Sequence, residues 1–125
     1  MSLISIDNLD FETVKYLLEL ANYYEYPYNK ENYENILKGK TLINIFFENS
    51  TRTSLSFQKA MLNLGGNYLQ YDVSKSSINK GETISDTIKT IENYADIITI
   101  RHPENNIFKQ FNCNKLVINA GNGTD

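Results

Sequence analysis

The chain has 125 residues with 41% hydrophobic content, enough for one layered domain with its own core and too short for two ordinary domains. Its formal net charge of -3 argues against a broad cationic surface for nucleic acid, while local cationic pockets stay possible. Cys113 is the single cysteine, so no intrachain disulfide can form and we expect an inert thiol.

The N-terminus lacks the positive start, apolar middle and small-residue cleavage site of a secretory signal. No apolar run approaches the ~20 residues that a bilayer-spanning helix needs. We therefore expect a soluble cytoplasmic protein that has neither a membrane partner nor a nucleic-acid partner.

A first helix is predicted near the N-terminus, where Asn8 and Asp10 are candidate caps and the helical pattern continues to about Tyr24. Its apolar residues recur at helical spacing and predict a packing face: Phe11, Val14, Leu17, Leu18 and Ala21. The polar, Asn-rich stretch from Tyr26 to Lys40 then predicts a loop with one short helical turn.

From Thr41 onward, strands alternate with helices. Thr41–Phe47 is β-branched and apolar enough for a buried strand, and it is followed by a helix that Gly65-Gly66 ends in the manner of a glycine cap. The later predictions are, in order, a strand Asn67–Val73, a loop Ser74–Gly81, a helix from Glu82 to about Tyr94, a strand Asp96–Ile100, a weak helix Asn105–Phe111, a strand Lys115–Asn119 and a turn Ala120–Gly123.

This alternation predicts an α/β fold built of βαβ units, with a parallel sheet covered by helices on both faces. In such sheets, ligands bind outside the carboxyl ends of the strands. Three candidate segments follow predicted strands and should meet at that edge: Ser50–Thr53, Arg101–Pro103 and Asn119–Gly123.

The segment Phe46–Ser54 carries most of the functional signal, because small hydroxyl residues and an arginine stand where a helix begins. The first backbone N–H groups of a helix have no partner within it and carry the positive end of its dipole. A phosphate fits there, and Arg52 adds a permanently charged fork matched to phosphate oxygens. The alternative is that Ser50 or Thr51 merely caps the helix.

Three blocks in this order resemble the carbamoyltransferase family, and within it the members that use L-aspartate: Phe46–Phe57, Lys80–Thr87 and Arg101–Pro103. The resemblance implies transfer of the carbamoyl group of carbamoyl phosphate to the amino group of L-aspartate, an early step of pyrimidine synthesis. It implies no metal and no organic cofactor. The first half of a two-domain protein is then expected, with residues 1–125 as an incomplete carbamoyl phosphate-binding domain and the aspartate-binding domain absent.

Residue roles also follow from the resemblance. The phosphate of carbamoyl phosphate would be held by Ser50, Thr51, Arg52 and Thr53, together with Ser76. Thr53 and Arg101 would contact the carbonyl oxygen, and Arg52 would stabilise charge on the leaving phosphate. Lys80 would meet the incoming aspartate. The resemblance thus assigns catalytic roles to Arg52, Thr53, Arg101 and Lys80.

The family's pattern places Ser76 and Lys80 on a loop that reaches the active site of an adjacent subunit, so the resemblance implies a homotrimer with shared sites. Whether regulatory chains also bind stays open. The alternatives without a functional role are that Lys80 is a solvated loop lysine and that Arg101 forms a weak surface ion pair. His102, the only histidine, is expected to be a packing or surface residue and not a general base.

The sequence departs from the family's pattern in three ways. Ser54 stands where many members have a second arginine, and Asn122 replaces a common aspartate. The third departure is length, from which we expect this chain alone to be inactive and a longer protein that carries it to be the enzyme. Two other functions remain open, an ornithine carbamoyltransferase and a non-catalytic module for anion binding or assembly.

Overall fold

The computed structural model describes residues 2–25, 33–73 and 83–123. Within these residues, three α-helices, α1 (Phe11–Glu25), α2 (Thr51–Asn63) and α3 (Ile84–Ile91), accompany four strands, β1 (Thr41–Phe46), β2 (Asn67–Leu69), β3 (Ile97–His102) and β4 (Leu116–Asn122). Short 3-10 helices cover Ile6–Asn8 and Ile107–Lys109. The strands form one sheet in the order β2-β1-β3-β4, and every pair is parallel.

The two faces of the sheet are covered by different helices. Ile43 and Ile45 belong to a core cluster with Ile88 and Ile91 of α3. Because successive strand residues point to opposite faces, Asn44 must face the other side, where its amide contacts Ser54 of α2. The expected α/β fold with helices on both faces of a parallel sheet is therefore confirmed.

The most deeply buried side chains lie in the two central strands and in the helix that covers them. Ile45, Ile98 and Ile100 are fully buried, as is Ile88 of α3. A parallel strand between two neighbours has no solvent-facing side, so a β-branched apolar run is the pattern that it requires. The predicted buried strand from Thr41 is confirmed and ends one residue early, at Phe46.

The predicted packing of the first helix is wrong within this chain. Asp10 does cap α1, since its carboxylate accepts from the Thr13 N–H at 2.8 Å. No residue of α1 is buried, however, and Phe11 and Leu18 are 76% and 67% exposed. Helical periodicity identifies an apolar face, but burial also needs a surface to cover it.

Two strand boundaries differ from the sequence prediction for reasons of pairing. β2 stops at Leu69 and not at Val73, because it lies at the sheet edge and pairs only with Thr41–Ile43. β4 continues through the predicted turn to Asn122, because the register shifts between Ile100 and His102: β4 has one more residue there than β3, and His102 pairs with Asn122.

The helix predicted from Glu82 to about Tyr94 is also shorter, as α3 covers Ile84–Ile91. Thr83 caps it by accepting from the Asp86 N–H at 3.1 Å. Of the weak helix predicted at Asn105–Phe111, the structure has the 3-10 turn at Ile107–Lys109. The predicted loop Ser74–Gly81 lies outside the described residues.

The predicted glycine cap of α2 is confirmed. Gly65 has φ +83°, its N–H donates to Leu62 O at 3.2 Å, and the Gly66 N–H donates to Met61 O at 2.8 Å. This pair of bonds satisfies helix-end carbonyls through a left-handed residue. A Cβ at Gly65 would also clash with the Glu34 carbonyl oxygen, so the position requires glycine for two reasons.

Gly39 has the left-handed backbone of Gly65 without the steric clash, because its φ is +81° and a Cβ added there would meet no atom within 4 Å. We predict that Gly39→Ala lowers the free energy of unfolding by about 1 kcal/mol, the cost of left-handed backbone alone. Gly65→Ala should cost roughly 2–4 kcal/mol, because the backbone clash adds to that strain. Urea unfolding of both variants measures the difference, and equal losses would contradict the proposed clash.

Candidate anion-binding site

The carboxyl ends of three strands meet at one edge of the sheet, as the sequence predicted. Phe46 at the end of β1 is paired with Arg101 of β3, and His102 of β3 is paired with Asn122 of β4. The Phe47 N–H continues the ladder by donating to Arg101 O at 2.8 Å. α2 begins at Thr51, a few residues after β1 ends, so its first turn stands at this edge.

The start of α2 is not capped by its own serine. Ser50 occupies the N-cap position, but its side chain makes no capping hydrogen bond. The first backbone bond of the helix runs from the Ser54 N–H to Ser50 O at 2.9 Å. The N–H groups of residues 51–53 precede that bond and carry the positive end of the helix dipole. The alternative that Ser50 only caps the helix is therefore wrong.

The side chains of this segment line two adjoining hollows, which share Thr51 and Leu55. Glu48, Ser50 and Thr51 line a crevice between the end of β1 and α2, and Thr53 is half-buried nearby in sequence. Arg52 is exposed and lines a groove along the outside of α2 together with Lys59. Ser50 and Thr51 therefore lie at the crevice, Thr53 is not among the residues that line it, and the exposed Arg52 side chain would have to turn toward it to share a ligand.

Arg101 is held in place by β4. Its Nη1 donates to Ala120 O at 3.0 Å, and a Cβ at Gly121 would lie only 2.6 Å from the same nitrogen. Gly121 has φ +130°, so both the backbone and the space require glycine there. The sequence analysis predicted a turn here but did not predict that Arg101 packs against it. Gly121 was the residue in the sequence that could have indicated this close approach.

One nitrogen of the Arg101 guanidinium is unpaired among the described residues. Its buried Nε lies 3.8 Å from Glu48 Oε2 and makes no hydrogen bond within the described part of the chain. Arg101 and Glu48 therefore do form the ion pair that was the alternative prediction for Arg101. Because this pair is long and partly exposed, it contributes little to the stability of the fold. An anion at this edge would meet Arg101 next to the carboxylate of Glu48.

His102 is held neutral beside the site. Its Nδ1 accepts from the Glu104 N–H at 3.0 Å, which leaves the ring proton on Nε2. Burial lowers the pKa of His102, while the nearby Glu104 and Glu48 carboxylates oppose that shift. The ring also packs edge-on against Phe47 with centroids 4.5 Å apart. This geometry supports the prediction that His102 is a packing residue.

Two predicted site residues, Ser76 and Lys80, lie outside the described residues, so their roles stay predictions. Within residues 2–25, 33–73 and 83–123, no cluster of three or more His, Cys, Asp or Glu residues could hold a metal ion. Over the same ranges, no helix has both the length and the apolar character required to cross a membrane.

Comparison with known proteins identifies the family. Residues 1–125 match the family described as "Aspartate/ornithine carbamoyltransferase, carbamoyl-P binding domain". The chain belongs to the aspartate/ornithine carbamoyltransferase family. Among curated members, it is 46% identical over 124 residues to the aspartate carbamoyltransferase catalytic subunit of Archaeoglobus fulgidus. This alignment covers 97% of the present chain and 42% of the relative.

Solved structures of the carbamoyltransferase family agree with the fold. Aspartate transcarbamoylase from Trypanosoma cruzi in complex with carbamoyl aspartate and phosphate superposes with a TM-score of 0.89 at 35% identity, covering 98% of this chain and 40% of that one. The same enzyme in complex with carbamoyl phosphate gives a TM-score of 0.88, again at 35% identity, covering 98% and 38%. The chain spans about two fifths of the length of these carbamoyltransferases.

The departure at Asn122 from the carbamoyltransferase pattern has a structural reason in this chain. Asn122 Nδ2 donates to Asn105 O at 2.7 Å, while its Oδ1 accepts from Asn119 Nδ2 at 2.9 Å. An aspartate has no donor for the Asn105 carbonyl, so only the amide satisfies both partners. The Asn119 amide also holds the turn, because its Oδ1 accepts from the Gly121 N–H at 2.8 Å.

The lowered pKa of His102 predicts a pH dependence of stability for this carbamoyltransferase chain. The unfolded histidine has an ordinary pKa of about 6.5, so the unfolded chain binds more protons below that pH. The stability contributed by neutral His102 is therefore present above about pH 6.5 and lost as pH falls through the lower folded pKa.

We expect the free energy of unfolding to fall more steeply from roughly pH 7 to pH 5 in the wild type than in His102→Gln, which cannot titrate. Urea unfolding at each pH gives the two slopes, and an NMR titration of the ring protons gives the folded pKa directly. Equal slopes, or a folded midpoint at or above 6.5, would contradict the assignment.

Proposed function

We propose that this chain is the carbamoyl phosphate-binding part of an aspartate carbamoyltransferase, with the aspartate-binding domain contributed by sequence outside residues 1–125. The uncapped start of α2 at the sheet edge, next to Arg101, is the observation that carries the proposal. The curated relatives at 40–46% identity are aspartate carbamoyltransferase catalytic subunits, which supports aspartate as the acceptor. Such an enzyme acts in pyrimidine synthesis, and we propose the cytoplasm as its compartment.

The phosphate would lie against the free N–H groups of residues 51–53. The half-buried Ser50 and Thr53 and the exposed Thr51 add short hydroxyl donors that do not block its approach. Arg52 can turn its exposed side chain from the outer groove toward the helix start and form a charge-assisted bond to a phosphate oxygen. The dianion thereby meets a dipole, hydroxyls and one guanidinium.

The reaction needs charge stabilisation more than proton transfer from this part of the protein. The amine nitrogen of aspartate attacks the carbamoyl carbon, charge grows on the carbonyl oxygen, and the bond from carbon to the phosphate oxygen breaks. Phosphate leaves with that electron pair and takes up the proton that the amine loses. Arg101 and Thr53 would stabilise the carbonyl oxygen, and Arg52 the leaving phosphate, as preorganised donors do in an oxyanion hole.

In the proposed trimer, a neighbouring subunit supplies side-chain donors that this chain does not provide at its own site. Ser76 and Lys80 of a neighbouring subunit would reach the phosphate and the aspartate, so isolated monomers would lack two donors. The rest of the aspartate site belongs to the proposed second domain. The chain by itself is then expected to bind carbamoyl phosphate weakly and not to turn it over.

The role of Arg52 is tested by carbamoyl phosphate binding to this chain. Arg52→Ala should weaken binding by at least about ten-fold, since a charged hydrogen bond contributes on the order of 1.5–3 kcal/mol. Lys59→Ala is the matched control, because Lys59 lines the same outer groove and its loss removes the same charge. Calorimetric titration with freshly dissolved ligand measures both. Equal affinities of Arg52→Ala and wild type would contradict the assigned role.

The acceptor is tested by a carbamoylation assay. This chain alone should give no turnover, while a longer protein that carries it should carbamoylate L-aspartate in preference to L-ornithine. Preference for ornithine would make it an ornithine carbamoyltransferase. Clear turnover by the isolated chain would contradict the proposed need for the second domain, and binding without turnover in the longer protein would favour a non-catalytic module.

A further inference from the structure

Two polar side chains are buried side by side in the centre of the sheet. Asn44 of β1 and Thr99 of β3 are paired in register and are 4% and 0% exposed. Their strand neighbours are isoleucines and leucine, among them Leu42 and Ile45, which are at most 1% exposed. A buried amide is costly unless it is hydrogen-bonded, so the contacts of Asn44 indicate what it does.

Asn44 links the sheet to α2. The Thr99 hydroxyl donates to Asn44 Oδ1, which fixes the orientation of the amide. The Asn44 Nδ2 group is then directed at α2, where it lies 3.3 Å from Ser54 O and 3.2 Å from Ser54 Oγ. Gln58 Nε2 also donates to Ser54 Oγ, at 3.0 Å. All polar atoms of the Asn44 side chain are therefore used, and both bonds to the helix end at one residue.

That residue closes the first turn of the proposed phosphate site. The Ser54 N–H donates to Ser50 O, so a fixed Ser54 fixes the N–H groups of the three residues between them. Asn44 also lies two residues before the end of β1, and Thr99 lies two residues before Arg101 on β3. The same pair thus holds the helix start and the strand that presents Arg101 in one arrangement.

We propose that Asn44 and Thr99 are positioning residues for the phosphate site: through Ser54 they hold the first turn of α2 in register with Arg101. This inference rests on the proposed function, because it assigns a role at the same site. Neither residue touches the ligand. Their effect is on the geometry of the anion donors, for which small displacements are costly.

Thr99→Val tests this role with little change of shape, since it removes only the hydroxyl that orients the Asn44 amide. Carbamoyl phosphate affinity of this chain should fall about five- to ten-fold, the effect of one misdirected hydrogen-bonding group. Thr99→Ser keeps the hydroxyl and should restore affinity to within about two-fold of wild type.

Thr87→Val is the matched control. Thr87 is 2% exposed on α3, and its hydroxyl has no hydrogen-bond partner within the described residues. It undergoes the same substitution at an equally buried position that does not contact Ser54, so affinity should be unchanged. Urea unfolding of every variant, and titration under conditions where each is folded, separate affinity from stability. Amide hydrogen exchange at Ser54 should rise in Thr99→Val only.

The outcomes distinguish this inference from the function on which it rests. A wild-type chain that does not bind carbamoyl phosphate would contradict the proposed function. Wild-type binding with unchanged affinity in a folded Thr99→Val would overturn the positioning role alone, as would equal losses in Thr99→Val and Thr87→Val. If Thr99→Val does not fold, Ser54→Ala removes only the hydroxyl acceptor, and a loss of about two- to three-fold is expected. Full affinity of Ser54→Ala would then overturn the inference.

Discussion

The parallel pairing of β1 with β3 is the constraint on which the proposed site depends. It brings the end of β1, from which α2 begins, beside the end of β3, which carries Arg101. Neither segment has enough donors alone to hold a dianion against water. A helix start offers N–H groups and about half a charge, and a single guanidinium is screened when it is exposed. Their combination at one sheet edge is what gives the site the donors that a dianion requires.

The proposed site is locally cationic on a chain whose net charge is -3. Arg52, Arg101 and the α2 dipole supply the positive potential, and Glu48 beside Arg101 partly offsets it. This local arrangement favours a compact anion over a polyanion such as nucleic acid, which needs an extended basic face that follows its phosphate backbone. It agrees with membership of the carbamoyltransferase family, whose described domain binds carbamoyl phosphate, a small acyl phosphate.

Features encoded by nearby residues were predictable from the sequence. The strand from Thr41, a helix start within Phe46–Ser54 and the cap at Gly65 all depend on local propensity and hydrogen bonding, and all three are confirmed. Features that depend on partners distant in sequence could not be predicted in this way. The extension of β4 to Asn122 depends on the register shift between β3 and β4, and the exposure of Phe11 depends on what covers α1. The role of Asn44 could not be predicted from one polar residue in an apolar strand, because its partner Thr99 is 55 positions away.

The most direct test of the site is a backbone-amide NMR titration of this chain with carbamoyl phosphate. Our account predicts that the amide signals of Thr51, Arg52 and Thr53 shift downfield together and saturate at one ligand concentration, as N–H groups that gain an anionic acceptor do. Signals of α1 and of the sheet edge at β2 should stay in place. Shifts confined to residues remote from α2, or no saturable shift at its first turn, would contradict the account.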